Sequence, residues 1–296
     1  MDQAEDAHLV EIKFPLYRGY RDNRVIVNDA MNALLVGSKL AAHTLRLTEG
    51  SELTLGQLFP QVEHVDRFNM KSDVARDFLK NADHHVATVA LPYALATHED
   101  FVMEVIELLR KEGQAIQTNV NNIKAWNMHN VLFSACGQSE PVVWTESFHV
   151  LREVRNCIIH SGGRVNDRLR KAIDNMGSEA RSEWDRITGG MEPEEIEDKN
   201  AMLHLTPECI FMAFAVTKRL GREINVLLAK TLPVATWARI AVADYNSSTS
   251  RSRNSDGWRN GVMGHCKMYY KALDLTEQQI ESAARDLDLW SLPRWE

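Results

Sequence analysis

The stretch between Pro141 and the pair Gly162–Gly163 constrains the fold more than any other part of the chain. Proline cannot sit inside a helix without cost and glycine commonly ends one, and the twenty residues between them contain neither. The spacing therefore predicts a helix over 142–160 with a stop at Ser161-Gly162-Gly163. At about 100° per residue, His149, Glu153, Asn156 and His160 fall within roughly 60° of one another, while Trp144, Leu151, Val154 and Ile158 occupy the opposite arc. A helix divided in this way buries its apolar side against other helices. Arg155 lies at the apolar margin, beside Phe148 on the wheel. Its guanidinium fits a carboxylate in the core or a phosphate at a site equally well, and both readings stand on geometry alone.

Helical periodicity recurs along the rest of the chain. Residues 1–24 read as an arm or irregular packing segment, and 25–47 as a first helix built on Ile26, Ala30, Ala33, Leu34, Leu40, Ala41 and Leu45. Residues 53–70 are irregular, with a short helix after Thr54. Ser72-Asp73 is placed to cap a helix that runs through Phe78, Ala82, Val86 and Val89 to a break at Pro92. Thr97-His98-Glu99-Asp100 starts the next, which stops at Gly113, and 114–141 is broken helix and loop around Trp126 and Phe133. Residues 165–187 carry one charged helical pattern ending at Gly189-Gly190. The segment 191–200, with five acids and one lysine, reads as an exposed insertion. Thr206-Pro207-Glu208 opens a helix whose core face is Ile210, Phe211, Phe214, Ile224, Leu227 and Leu228. Beyond Pro233 come a helix over 235–245, a Ser/Arg/Asn-rich loop over 246–257, and helices over 258–273 and 276–290, the last opened by the capping box Thr276-Glu277-Gln278-Gln279. The expected architecture is all-α: an up-and-down helical bundle over 71–232, an arm and helix over 1–70, and a small helical segment over 233–296.

Composition enters as a set of exclusions. A net charge of −7 argues against a protein that coats nucleic acid non-specifically. Residues 152–171 run the other way, with six basic side chains (Arg152, Arg155, Arg164, Arg168, Arg170, Lys171) against Glu153 and Asp167. This island suits one phosphate segment, or else a solvated helix face. Cys136, Cys157, Cys209 and Cys266 lie far apart, without zinc spacing. His84, His85, His98 and Asp100 show no H-E-x-x-H arrangement, so no metal and no cofactor is expected. No P-loop, G-x-G-x-x-G or Ser-His-Asp signature is present. The acidic N-terminus lacks an apolar signal core and no run reaches the length of a membrane span, so a cytoplasmic location without membrane attachment is expected. A second basic stretch, 251–271, carries Trp258, Tyr269 and Tyr270, and reads either as a stacking surface for RNA or as the core of a helical hairpin.

The run Arg155-Asn156-Cys157-Ile158-Ile159-His160 with its glycine turn, inside a long amphipathic helix and followed by a second such helix, resembles the signature of the HEPN superfamily over about 72–232. The resemblance implies an all-α bundle, a homodimer formed through the motif helix, and metal-independent endoribonuclease activity of the toxin or phage-defence type, with an antitoxin or regulatory partner. It implies catalytic roles for Arg155, His160 and Asn156, with Glu153 and His149 in support and Arg152, Arg164 and Arg168 on the RNA. Transesterification by a ribose 2′-OH needs a group that moves protons near neutral pH, for which histidine is suited, and a cation where charge grows on phosphorus. Other members of the superfamily have lost activity and act as dimerising or nucleotide-binding modules, which remain the alternatives.

Overall fold

A computed structural model describes residues 11–291. Among these residues there are twelve α-helices and no strand, with three isolated bridges. The chain is all-α, as the periodicity predicts. Contacts group it into two units, one from the described parts of 1–22, 97–141 and 218–296, the other from 23–96 and 142–217. The boundary read at 70/71 falls inside the second unit and that at 232/233 inside the first. Three long helices contribute a segment to each unit: α1 (Pro15–Leu45), α4 (Ala82–Lys111) and α9 (Pro207–Thr231).

Two of these helices differ from the sequence reading. The chain is helical from Pro15, so among the described residues the irregular segment extends only over 11–14. Proline at the first helical position has its φ preset. Tyr17 and Tyr20, one turn apart, are buried. Polar neighbours hide this pair in the sequence, and its partners lie far along the chain: Tyr20 stacks on Phe101 at 4.3 Å between centroids. The break expected at Pro92 is instead at Asn81, between α3 (Ser72–Lys80) and α4, which passes through Pro92. An interior proline costs a helix about 3 kcal/mol. Ala90, Leu91, Ala94 and Leu95 around it are buried, and at roughly 1.5–3 kcal/mol for each large side chain that burial offsets the cost. Lys71, not Ser72, is the residue preceding α3.

The first unit is built on aromatic side chains and buried polar pairs. Phe14 meets Trp237 edge to face at 5.3 Å. The Asn225 amide accepts from Ile12 N–H (2.9 Å) and donates to its carbonyl (2.8 Å), replacing the strand partner that residue 12 lacks. Gly221 lies where a Cβ would meet the Tyr20 ring, and Gly261 where one would fall on the Tyr245 hydroxyl. Asp244, on α10 (Val234–Ser248), is the polar centre of this unit. Arg18 grips both its oxygens (2.8 and 2.7 Å), and His265 Nε2 and the Tyr270 hydroxyl each lie 2.9 Å from Oδ2. Burial raises the affinity of Asp244 for a proton, but these hydrogen bonds outweigh it and hold the carboxyl well below the usual range. Trp258 and Tyr270 are fully buried and Arg18 lies over the Tyr269 ring at 4.9 Å. The aromatics of 251–271 are therefore core, not a stacking surface. The C-terminal helices are α11 (Asp256–Tyr269) and α12 (Glu277–Asp286), the latter opened by the predicted Thr276 capping box.

In the second unit α6 (Val142–Ser161) packs on α7 (Asp167–Asp174) and α8 (Ser178–Thr188). Phe148, Leu151, Val154 and Cys157 are fully buried against Leu169, Ile173, Ala180 and Trp184. The single helix expected over 165–187 is thus two, separated at Asn175–Gly177. Gly177 N–H donates to Glu146 of α6 (2.9 Å), which fastens the second to the motif helix. The acidic segment 191–200 is not a free insertion. Pro193 and Ile196 are buried, and Glu197 binds Arg170 through two hydrogen bonds (2.9 and 2.6 Å). Phe211, read as core, is 45% exposed.

Candidate functional site

Helix α6 ends as its sequence dictates. Gly162 and Gly163 both have positive φ (57° and 81°), and Gly163 N–H donates to the Cys157 carbonyl at 3.0 Å. That bond spans six residues, one more than a Schellman closure, and glycine adopts the left-handed conformation it requires without the Cβ penalty. It stops the helix one residue after His160 and leaves that imidazole exposed at the helix end.

The polar stripe runs from exposed to buried. Glu153, Asn156 and His160 line one side of a hollow of about 550 Å³, and Ser161, Asn166, Asp167 and Arg168 line the rest. Glu153 is 6% exposed, yet it is not isolated. The Arg152 guanidinium lies 2.7 Å from one oxygen and the Asn156 amide donates to the other at 3.0 Å. A buried carboxylate without such partners would be protonated or would destabilise the fold. The same bonds fix the Asn156 rotamer and aim its carbonyl end away from Glu153. His149, a turn before Glu153, is half-buried and its Nδ1 is buried without a hydrogen-bond partner. Burial, then the charge of Arg152, lowers its pKa despite the opposing pull of Glu153. His149 lies outside the hollow.

The basic island divides by partner. Arg152 is committed to Glu153, and Arg170 to Glu197 and to Asp167 at 2.9 Å. Arg164 and Arg168 are exposed and, among the described residues, meet no carboxylate. Arg168 reaches the hollow because Asn166, at the start of α7, accepts from Arg168 N–H and Leu169 N–H, both at 3.0 Å. Arg155 is half-buried and does not line the hollow. The structure thus brings His160, Asn156, Glu153 and Arg168 together. Arg155, Arg164 and His149 lie outside that group. Asn166 and Ser161 were missed by sequence reasoning. For Asn166 a signal existed, since an asparagine before Asp167 is a standard N-cap.

His84, His85 and His204 share a second hollow with Val74, Asp77, Phe78 and Asn81. His98 is fully buried, with its two ring nitrogens each 2.9 Å from Tyr20 and His129. Among the described residues no three His, Cys, Asp or Glu side chains gather as a metal-binding group. No family model, no curated protein and no solved structure matches this chain.

Proposed function

We propose that the chain is an endoribonuclease that cleaves RNA by attack of a ribose 2′-OH on the adjacent phosphorus, leaving a 2′,3′-cyclic phosphate. The observation that carries this reading is the convergence of an exposed imidazole, an oriented amide and an uncommitted guanidinium on one open hollow. His160 takes the 2′-OH proton as the new O–P bond forms. Arg168 holds the phosphoryl oxygens while charge accumulates on them, and the 5′-oxygen leaves with a proton. Asn156, held by Glu153, hydrogen-bonds the ribose or phosphate. One imidazole serves one end of this proton transfer. A second copy of the motif, from a second chain, supplies the other, and the reaction asks no metal to carry charge. Relative to the motif resemblance, the cation that contacts phosphate shifts from Arg155 to Arg168, because Arg155 does not line the hollow.

The test is incubation of purified protein with mixed RNA in EDTA, wild type beside His160→Ala. The reading requires cyclic-phosphate ends from the wild type and their loss in the variant. Cleavage that depends on added Mg²⁺ or Mn²⁺ and leaves 5′-phosphates would remove it. The half-buried position of Arg155 and the Arg152–Glu153 ion pair favour a second reading, a non-catalytic module that docks a partner. Absence of cleavage, with a folded protein, selects that one.

A further inference from the structure

The part of α1 in the second unit, with the 3₁₀ turn Arg46–Thr48 that follows it, carries an apolar face that no other described residue covers. Ile26, Ala30, Ala33, Gly37, Leu40, Thr44 and Leu47 follow one another at alternating spacings of four and three, and all of them are exposed. Ile26 is 66%, Leu40 65% and Leu47 89% exposed, with Leu34 (53%) and Val36 (68%) at the flanks. The opposite stripe of the helix, Val27, Leu35, Ala42 and Leu45, is already buried. Lys39 lies 3.4 Å from Asp83 of α4, and Arg24 donates to the Phe214 carbonyl of α9 at 2.9 Å. The helix is held on that side and cannot turn the exposed seam inward. On α6, by contrast, Val142 and Ile159 are the large apolar side chains left exposed, and they lie at opposite ends of the helix.

We propose that this seam pairs with the same seam of a second copy of the chain, antiparallel, about a two-fold axis beside residue 35. A hydrophobic repeat of seven that stays on one line is satisfied by another helix with the same repeat, and a two-fold interface presents one patch twice. The side chains decide the direction. In the antiparallel pairing, Leu40 of one copy packs on Ala30 of the other, Ile26 on Thr44, and Gly37 on Ala33. Large residues meet small ones, and the axis is flanked by small pairs that permit close approach. A parallel pairing would set Ala30 on Ala30, Ala33 on Ala33 and Gly37 on Gly37, three successive layers without a large side chain. Charge points the same way. Asp29 and His43 flank the seam on the same side, so antiparallel pairing brings the carboxylate of one copy beside the imidazole of the other. A seam of this length, about 32 Å at 1.5 Å per residue, covers on the order of 500 Å² per copy and about 1,000 Å² in total, the lower bound for a specific interface.

By length and composition α1 is also apolar enough to cross a membrane. That occupant fits less well. The apolar side chains are confined to a seam, while Asn28, Asp29, Asn32, Lys39, His43 and Arg46 occupy other positions of the same helix, and a span is apolar all round. The inference does not depend on chemistry at His160, and this pairing is a contact separate from the one that brings two motifs together.

The test is the mass in solution of the full chain and of Gly37→Glu/Leu40→Glu, by light scattering coupled to size exclusion. No atom lies within 4 Å of a Cβ added at Gly37, so the variant keeps the fold of one copy, and circular dichroism verifies this. Twice the chain mass for the wild type and once for the variant is the expected result. Single cysteines placed in a Cys136→Ser background then read the direction. Mixed Ala33→Cys and Gly37→Cys chains form a crosslinked dimer under mild oxidation, whereas Ala30→Cys alone does not. A monomeric wild type, a variant that remains dimeric, self-crosslinking of Ala30→Cys, or a wild type that floats with phosphatidylcholine–phosphatidylglycerol vesicles while the variant does not, overturns the proposal.

Discussion

The two units each bury a carboxylate, and they treat it in opposite ways. Asp244 receives four hydrogen bonds from residues distant from it in sequence, two from Arg18 and one each from His265 and Tyr270. Glu153 is held by neighbours on its own helix, Arg152 and Asn156, and its remaining side faces the hollow. The first carboxylate joins three segments of chain and is closed off from solvent. The second is organised locally, so the fold does not depend on it to the same degree and its surroundings stay open. Burial of a charged group therefore says little about function until its partners are known.

The sharpest way to break this contrast is to remove each centre in turn. Asp244→Ala strands the Arg18 guanidinium and removes acceptors from His265 and Tyr270, so a loss of about 3–5 kcal/mol is expected in urea unfolding. A loss below about 1 kcal/mol would show that Asp244 is not the keystone described here. His160→Ala should leave stability within about 0.5 kcal/mol of wild type, while RNA cleavage falls by about 10²–10⁴-fold, the range for a general acid or base. An equal loss of stability and activity would erase the distinction between the two units. Arg168→Ala is expected to reduce cleavage at least about tenfold, the scale of one lost transition-state contact, and Arg155→Ala to reduce it less. The reverse order would return the phosphate-binding role to Arg155.

Acid destabilises both units, each in its own pH window. The folded pKa of Asp244 lies below its unfolded value, so its stabilisation is complete above about pH 4 and is lost as pH falls further. His149 also has a lowered folded pKa, through burial, but for a base this means that the unfolded chain takes up the proton first. Stability contributed by the neutral His149 ring therefore declines from about pH 6.5 downward. His149→Leu should flatten the loss in the interval just below about pH 6.5 while leaving the steeper acid limb in place. An unchanged slope in that interval would show that His149 is not the group titrating there.

Much of the second unit's motif region was legible because it is governed by local rules. Pro141 and Gly162–Gly163 bound α6 to within one residue of the expected end, and three- and four-residue spacing was enough to place Glu153, Asn156 and His160 on one face. The reading failed where distant contacts outweigh local preference. Pro92 does not break α4 because Ala90, Leu91, Ala94 and Leu95 around it are buried. The start of α1 was hidden because Tyr17 and Tyr20 are stabilised by Phe101 and its neighbours, some eighty residues later. Partner choice among the arginines was equally out of reach. Nothing in the island itself indicates that Arg170 is neutralised by Glu197 while Arg168 is left for the hollow.

The glycine turn that ends α6 is also laced to the residues that follow the acidic segment. Leu203 N–H donates to the Gly163 carbonyl (2.8 Å), Val165 N–H to the Ala201 carbonyl (2.9 Å), and Asp198 accepts from Met202 N–H (2.8 Å). In mechanical terms this is a buckle with a short lever. A load applied to 191–200 passes through peptide hydrogen bonds to the residues just beyond His160, with no flexible linker to absorb it. The imidazole at the helix tip is the first group such a tug would displace, and the apolar face of α6, clamped by α7 and α8, would be the last.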